Sequence, residues 1–142
     1  FVVDTNVLVY AADRAAEGHV RCRGLLEEWR LGPTPWYLTW NVIYEFLRVA
    51  RIRASFETLE RGPGWNFIST LIESPGLSIL PNGEAHDEHL AAIIRQVRDL
   101  RGSLLHDAHT AALMREHGIR VVYTRDADFH RFSSMEVRDP LR

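Results

Sequence analysis

Apolar and polar positions along the 142-residue chain fall into two kinds of pattern. Short, nearly unbroken apolar runs occur at Phe1-Val2-Val3, from Trp36 to Thr39, from Leu77 to Leu80, and at Val121-Val122-Tyr123. Runs this short, bounded by turn residues, read as strands buried on both faces. A last short strand is predicted near Glu136 to Arg138. Between the runs, apolar residues recur at helical spacing. A short helix is predicted over Thr5 to Tyr10, and another over Glu17 to Leu31 with Val20, Leu25, Leu26 and Trp29 facing a core. From Asn41 to Ala50, the residues Val42, Ile43, Phe46, Val49 and Ala50 form one apolar stripe. Phe56 to Ile72 reads as further helix, interrupted by a turn at Gly62-Pro63-Gly64. Glu84 to Arg101 reads as a long amphipathic helix with Leu90, Ile93, Ile94, Val97 and Leu100 inward. Leu104 to His117 is the last, stopped by Gly118 where a helix C-terminus favours glycine.

Helices that alternate with brief apolar strands predict an α/β fold: a central parallel sheet of four to five strands with helices on both faces. No repeat, low-complexity tract or long polar linker divides the chain, so residues 1–142 are expected to form a single domain. In sheets of this kind ligands bind outside the carboxyl ends of the strands. Two predicted strands end in acid there, the first at Asp4 and the one at Val121 just before Asp126.

Composition narrows the chemistry. Cys22 is the one cysteine, so neither an internal disulfide nor a cysteine-based zinc site can form, and it reads as a small packed hydrophobe. No apolar run reaches the length of a membrane span and nothing resembles a signal peptide, which makes a cytoplasmic protein the default expectation. The chain opens inside a strand without an initiator Met, so a few residues are expected to precede it. A formal net charge of -2 excludes nucleic-acid binding through bulk positive charge. All 17 basic residues are Arg, a side chain suited to bidentate contact with phosphate, although biased codon usage is the simpler account. The absence of Lys excludes a P-loop, a Schiff base and the receiver site of a response regulator.

Taken singly, each acid has an ordinary explanation. Asp4 suits a helix N-cap. Asp107 falls in the predicted first turn of its helix, where the macrodipole favours negative charge. Asp126 and Asp128 lie in a post-strand turn. Glu45 lies about 100° around its helix from Phe46, on the flank of the apolar stripe, with Arg48 available as an i+3 partner. Gathered at one sheet edge these carboxylates would repel each other, unless a cation neutralised them. Carboxylates and water are the preferred ligands of Mg2+, and paired Mg2+ or Mn2+ ions commonly cleave phosphodiesters. The histidine pairs His86/His89 and His106/His109 are spaced i to i+3 but lack the HExxH pattern or a cysteine partner of a zinc site.

Four segments carry a resemblance. Val2-Val3-Asp4-Thr5-Asn6-Val7-Leu8, Glu45-Phe46-Leu47-Arg48, Leu105-His106-Asp107-Ala108-His109-Thr110-Ala111-Ala112 and Tyr123-Thr124-Arg125-Asp126-Ala127-Asp128-Phe129 resemble, in order, the signature segments of PIN domains. More narrowly they are similar to the VapC toxins of bacterial and archaeal toxin–antitoxin operons, across essentially the whole chain. The ending Asp126-Ala127-Asp128-Phe129-His130-Arg131-Phe132, with Val137 and Pro140-Leu141, is similar to one VapC subgroup. The resemblance implies a three-layer PIN-like fold and Mg2+- or Mn2+-dependent endoribonuclease activity on single-stranded or loop RNA. It implies Asp4, Glu45, Asp107 and Asp126 as the metal-binding, catalytic quartet, Asp128 as a further ligand, and Asn6 and Thr124 as polar supports of the quartet. It also implies a homodimer and a cognate VapB-like antitoxin whose basic segment enters the acidic site.

The reaction expected is hydrolysis by a metal-activated water, with inversion at phosphorus and a 5′-phosphate product. Arg48 and Arg51, with Arg53 beside them, and His106 and His109 are candidates for RNA contact. Arg95, Arg98 and Arg101 form a second group, for which a solvated face is an equal explanation. Trp29, Trp36, Trp40 and Trp65 could stack on bases, with burial in a core or between copies as the simpler account for most. The alternative from another class is a PIN-fold module that binds RNA or an antitoxin without cutting. An aspartate-nucleophile phosphatase would need an acid where Asn6 stands, and a lysine.

Overall fold

The computed structural model describes residues 1–52 and 63–142. Strand β1 (Val2–Val3) leads into α1 (Thr5–Ala12) and α2 (His19–Leu31), and β2 (Trp36–Leu38) into α3 (Trp40–Ile52) and α4 (Pro63–Ile72). Strand β3 (Leu77–Ile79) is followed by α5 (His86–Gln96) and α6 (Ser103–Glu116), and β4 (Val121–Tyr123) by a 3-10 helix (Ala127–Arg131) and β5 (Glu136–Arg138). All pairings are parallel, in the order β3-β2-β1-β4-β5. The expected α/β architecture is therefore present, with five strands.

Period-two alternation in β1 divides the interior. Val3 belongs to one core, with Val7, Leu8, Trp29, Ile43 and Phe46 from α1 to α3. Val2 belongs to the other, with Ile93, Leu113, Met114 and Phe129 from α5, α6 and the 3-10 helix. Helices thus cover both faces, which explains why the three inner strands β2, β1 and β4 carry no charged residue, whereas the edge strand β5 exposes Glu136 and Arg138. Because β1 is central, with β2 on one side and β4 on the other, the chain changes direction of travel across the sheet between β1 and β4. A crevice at such a switch point, outside the carboxyl ends, is where α/β sheets place their ligands.

Several elements depart from expectation. Val20, predicted to face the core, is 83% exposed, and Cys22 is buried on α2 instead. Helix α5 ends at Gln96 and not at Arg101: Val97 turns extended (φ -103°, ψ 115°) and buries its side chain in the second core. Asp99 then takes a left-handed φ of 57°. Ile94, one residue around from buried Ile93, is 50% exposed. Helix α6 begins at Ser103, so Asp107 lies beyond its first turn and the macrodipole does not account for it. Pro63 opens α4, a first helical position where its missing N–H costs nothing. The predicted helix from Phe56 to Gly62 and the candidate contact Arg53 lie outside the described residues. At the end of α6, Gly118 (φ 67°) sends its N–H to Arg115 O at 3.2 Å while Ile119 N–H reaches Met114 O at 2.8 Å. That pair of bonds is a Schellman cap, and it turns the chain into β4.

Candidate active site

The site begins with the chain ends of two neighbouring strands. Asp4 N–H still bonds to Tyr123 O at 3.1 Å, the last rung between β1 and β4. Beyond that rung the backbones diverge, and side chains fill the gap. Asp4 is 7% exposed, and its carboxylate accepts from Thr5 N–H at 2.7 Å, from Asn6 Nδ2 at 2.5 Å and from Thr124 Oγ1 at 2.6 Å. Asn6 Nδ2 also lies 2.8 Å from Thr124 Oγ1, and Asn6 Oδ1 accepts Arg125 N–H at 3.1 Å. Thr124, wholly buried, accepts Asp126 N–H at 2.9 Å. Both residues expected to support the acids thus bond directly to Asp4, and Thr124 also fixes the backbone of Asp126.

The second tier comes from helices. Asp126 caps the 3-10 helix, its Oδ1 accepting Asp128 N–H at 2.9 Å, which brings the Asp128 side chain back beside it. Oxygens of Asp107 on α6, Asp126 and Asp128 lie within 4.8 Å of one another, close enough to share one cation. Asp107 Oδ2 is buried without a hydrogen-bond partner, a costly state for a carboxylate that a bound cation would relieve. Burial, then the charges of Asp4, Asp126, Glu45 and Asp128, push the Asp107 carboxyl up to about 8. Burial likewise raises Asp4 to about 6, against the opposing bonds from Thr124 and Thr5. Five carboxylates therefore form one electrostatic unit, as their expected gathering at one sheet edge required.

Within that unit the roles differ. Three oxygens close enough to share a cation belong to Asp107, Asp126 and Asp128, while among the charges acting on Asp107 that of Asp4 is the strongest. Asp4 is occupied by its three donors. Glu45 reaches in from α3, where its Oε2 accepts from Thr5 Oγ1 at 2.9 Å and its Oε1 lies 3.5 Å from Arg48. Sequence reasoning missed Thr5. Its hydroxyl ties α1 to α3, but as a buried helix residue next to Asp4 it carries no signal of that role.

The candidate RNA contacts separate. Arg48 and His106 line a cleft of about 260 Å3 together with Glu45, Asn41 and Tyr44. Arg51 is exposed on the last turn of α3. His109 turns inward: its Nδ1 lies 2.8 Å from Asn41 Nδ2 and its ring packs edge-on against His86, 4.9 Å between centroids. Burial, with His86 and His106 nearby, lowers its pKa, and the ring bridges α3 and α6. Arg95, Arg98 and Arg101 are exposed. Trp29 and Trp36 are core residues, whereas Trp40 and Trp65 are exposed.

Known proteins share this arrangement of sequence and fold. Residues 1–134 match the sequence family described as the PIN domain. Ribonuclease VapC48 of Mycobacterium tuberculosis is 34% identical, over 97% of this chain and 95% of that protein. The crystal structure of Mycobacterium tuberculosis VapC20, a toxin that cleaves the sarcin-ricin loop, superposes with a TM-score of 0.65 at 19% identity, covering 91% of this chain and 92% of that one. VapBC2 from Rickettsia felis, solved bound to a DNA fragment from its promoter, gives a TM-score of 0.67 at 12% identity, with 96% of each chain covered.

Proposed function

This chain belongs to the PIN-domain family and, within it, to the VapC ribonucleases, and on that premise we propose that it is a Mg2+- or Mn2+-dependent endoribonuclease acting as the toxin of a toxin–antitoxin pair. The observation that carries the reading is the Asp107 carboxylate. Its Oδ2 is buried without a donor, and a carboxylate oxygen of Asp107 lies within 4.8 Å of oxygens of Asp126 and Asp128, at the switch point of a parallel sheet. Oxygen ligands alone, with water completing the shell, suit a hard divalent cation and not zinc.

Asp107, Asp126 and Asp128 would hold the cation, with Asp4 and Glu45 completing the acidic surround. A divalent ion bound there supplies an activated water and neutralises charge on the phosphoryl group. The protein supplies position. Thr124 and Asn6 hold Asp4 in one orientation, Thr5 holds Glu45, and the Thr124 bond to Asp126 N–H fixes where the 3-10 helix starts. Hydrolysis by water needs no serine or cysteine nucleophile, and the products would be a 5′-phosphate and a 3′-hydroxyl. Arg48, beside Glu45, would meet a phosphate of the bound strand.

The chain would work as a single domain over residues 1–142. Family membership supports a cognate VapB-like antitoxin as partner, and the chain would act as a homodimer. Apolar side chains left in water at Leu31, Ile52 and Leu105 are consistent with protein partners. The test is cleavage of a fluorogenic single-stranded RNA in Mg2+ or Mn2+ by the parent, Asp107→Asn and Asp4→Asn. Loss of more than about a hundredfold in both variants is expected, the scale of removing a major electrostatic element. A parent as inert as its variants, yet able to bind RNA, would instead favour a binding module without catalysis.

A further inference from the structure

The face of α3 turned away from the core carries an aromatic pair. Ile43 and Phe46 are fully buried, and the residues one step around from them, Tyr44 and Glu45, point outward or to the flank. Tyr44 is 64% exposed and Trp40, one turn earlier, 45% exposed; their rings stack with centroids 5.8 Å apart and planes at 29°. Tyr44 lines the cleft that also contains Glu45, Arg48 and His106. Trp40 is outside that lining and is stacked on the Tyr44 ring.

From this juxtaposition we infer that the cleft beside Glu45 is a nucleotide subsite, in which the Tyr44 ring, backed by Trp40, stacks on one unpaired RNA base next to the acidic centre. The inference rests on the ribonuclease reading of that centre. It goes further in naming the ring that binds and in requiring an unstacked base, hence single-stranded RNA. The cleft measures about 260 Å3, just below the ~300–1,000 Å3 of usual small-molecule pockets. Its chemistry is divided as a nucleotide is divided, with an aromatic face for the base and the Arg48 guanidinium for a phosphate. A protein partner anchored by apolar side chains would instead be met by Glu45, Arg48 and His106 around a single ring. The chain carries net negative charge, so strand affinity must come from local contacts of this kind and not from a diffuse positive field.

The experiment uses fluorescence anisotropy of a labelled oligoadenylate about twelve nucleotides long, within the range of single-strand sites, and an abasic oligomer of the same length. Binding is measured in Ca2+, with the oligonucleotide checked intact on a gel. Tyr44→Ala is expected to weaken oligoadenylate binding about five- to a hundredfold, the range for loss of one base–aromatic stack. Tyr44→Phe should stay near the parent, and the abasic oligomer should bind parent and Tyr44→Ala alike. Equal binding of oligoadenylate by parent and Tyr44→Ala, an equal deficit on the abasic oligomer, or no binding by the parent would overturn the proposal. So would a Tyr44→Ala variant that binds RNA normally but changes its mass in sedimentation, since the face would then join copies of the chain. Circular dichroism of both variants excludes misfolding. A parent that binds in a Tyr44-dependent way but never cleaves in Mn2+ would sink the nuclease reading and leave the subsite; cleavage without Tyr44 dependence would do the reverse.

Discussion

Thr124 Oγ1 donates to Asp4 Oδ2 across 120 residues of sequence, at 2.6 Å and in full burial. The same hydroxyl accepts Asp126 N–H at 2.9 Å, so one small side chain joins the ends of β1 and β4 and sets two of the five acids. Thr124→Val keeps the shape and removes the hydroxyl. It should cost about 1–3 kcal/mol, the penalty of stranding buried polar partners, and lower the melting temperature by several degrees. Manganese affinity should fall with it, by about 10- to 100-fold as for other groups that orient ligands. A variant with unchanged melting and unchanged Mn2+ titration would remove Thr124 from the account.

The raised carboxyls make the metal-free protein sensitive to alkali. Asp4 near 6 and Asp107 near 8 both lie above the ordinary aspartate value of 3.8, which approximates the unfolded chain. Groups raised in the folded state contribute most stability below about pH 4 and lose it as pH climbs through their folded values. In EDTA, Asp107→Asn should therefore gain steadily on the parent in melting temperature from about pH 4 to about pH 8 and level off above it. Melting curves of the two proteins that run parallel across that range would refute the burial and repulsion invoked for Asp107.

Cation binding should release protons. With Asp107 near 8, much of it is protonated at pH 7, and a cation must displace that proton. Calorimetry in buffers of different ionisation enthalpy should show net proton release at pH 7 and little at pH 9, with apparent affinity rising between them. Release that is absent at pH 7 in the parent would contradict the assignment. Asp107→Asn should lose both the release and the stabilisation by Mn2+.

Thr5 gives a narrower test. Its hydroxyl is the donor to Glu45 at 2.9 Å, and its remaining atoms are buried in α1. Thr5→Val should reduce RNA cleavage about 10- to 100-fold through a loosened Glu45 while leaving most of the metal-induced stabilisation, since Asp107, Asp126 and Asp128 are untouched. If the metal response collapses along with cleavage, Glu45 is more central than the geometry places it.

Strand positions and the acids were readable from the chain for different reasons. Doubly buried strands such as Val121 to Tyr123 need uninterrupted apolar residues, a pattern few other elements produce. The acids became readable as a set through ordered resemblance, since Asp4 or Asp126 alone could pass as a cap, and each does cap a helix. Where reading failed, tertiary geometry had overridden periodicity. Val97 and Leu100 continue a helical repeat, yet burying Val97 in the second core took an extended turn and a left-handed Asp99. Val20 sits at a core-compatible spacing, but α2 rolls to bury Cys22. His109 resembled a surface contact beside Asp107, and only the meeting of α3 with α6 reveals Asn41 and His86 around it.

The central place of β1 has a consequence in time. A ribosome delivers Asp4 first, yet its sheet neighbour β4 and the hydroxyl that holds it come from residues 121 to 124. Asp107, Asp126 and Asp128 are likewise late. A nascent chain therefore carries only Asp4 and Glu45 of the set until residue 107 is made, and cannot close the cation cage until residue 128 has emerged. The acidic centre is thus assembled in the reverse of the order its fold suggests: the strand at its middle is made first and waits for the strand that completes it.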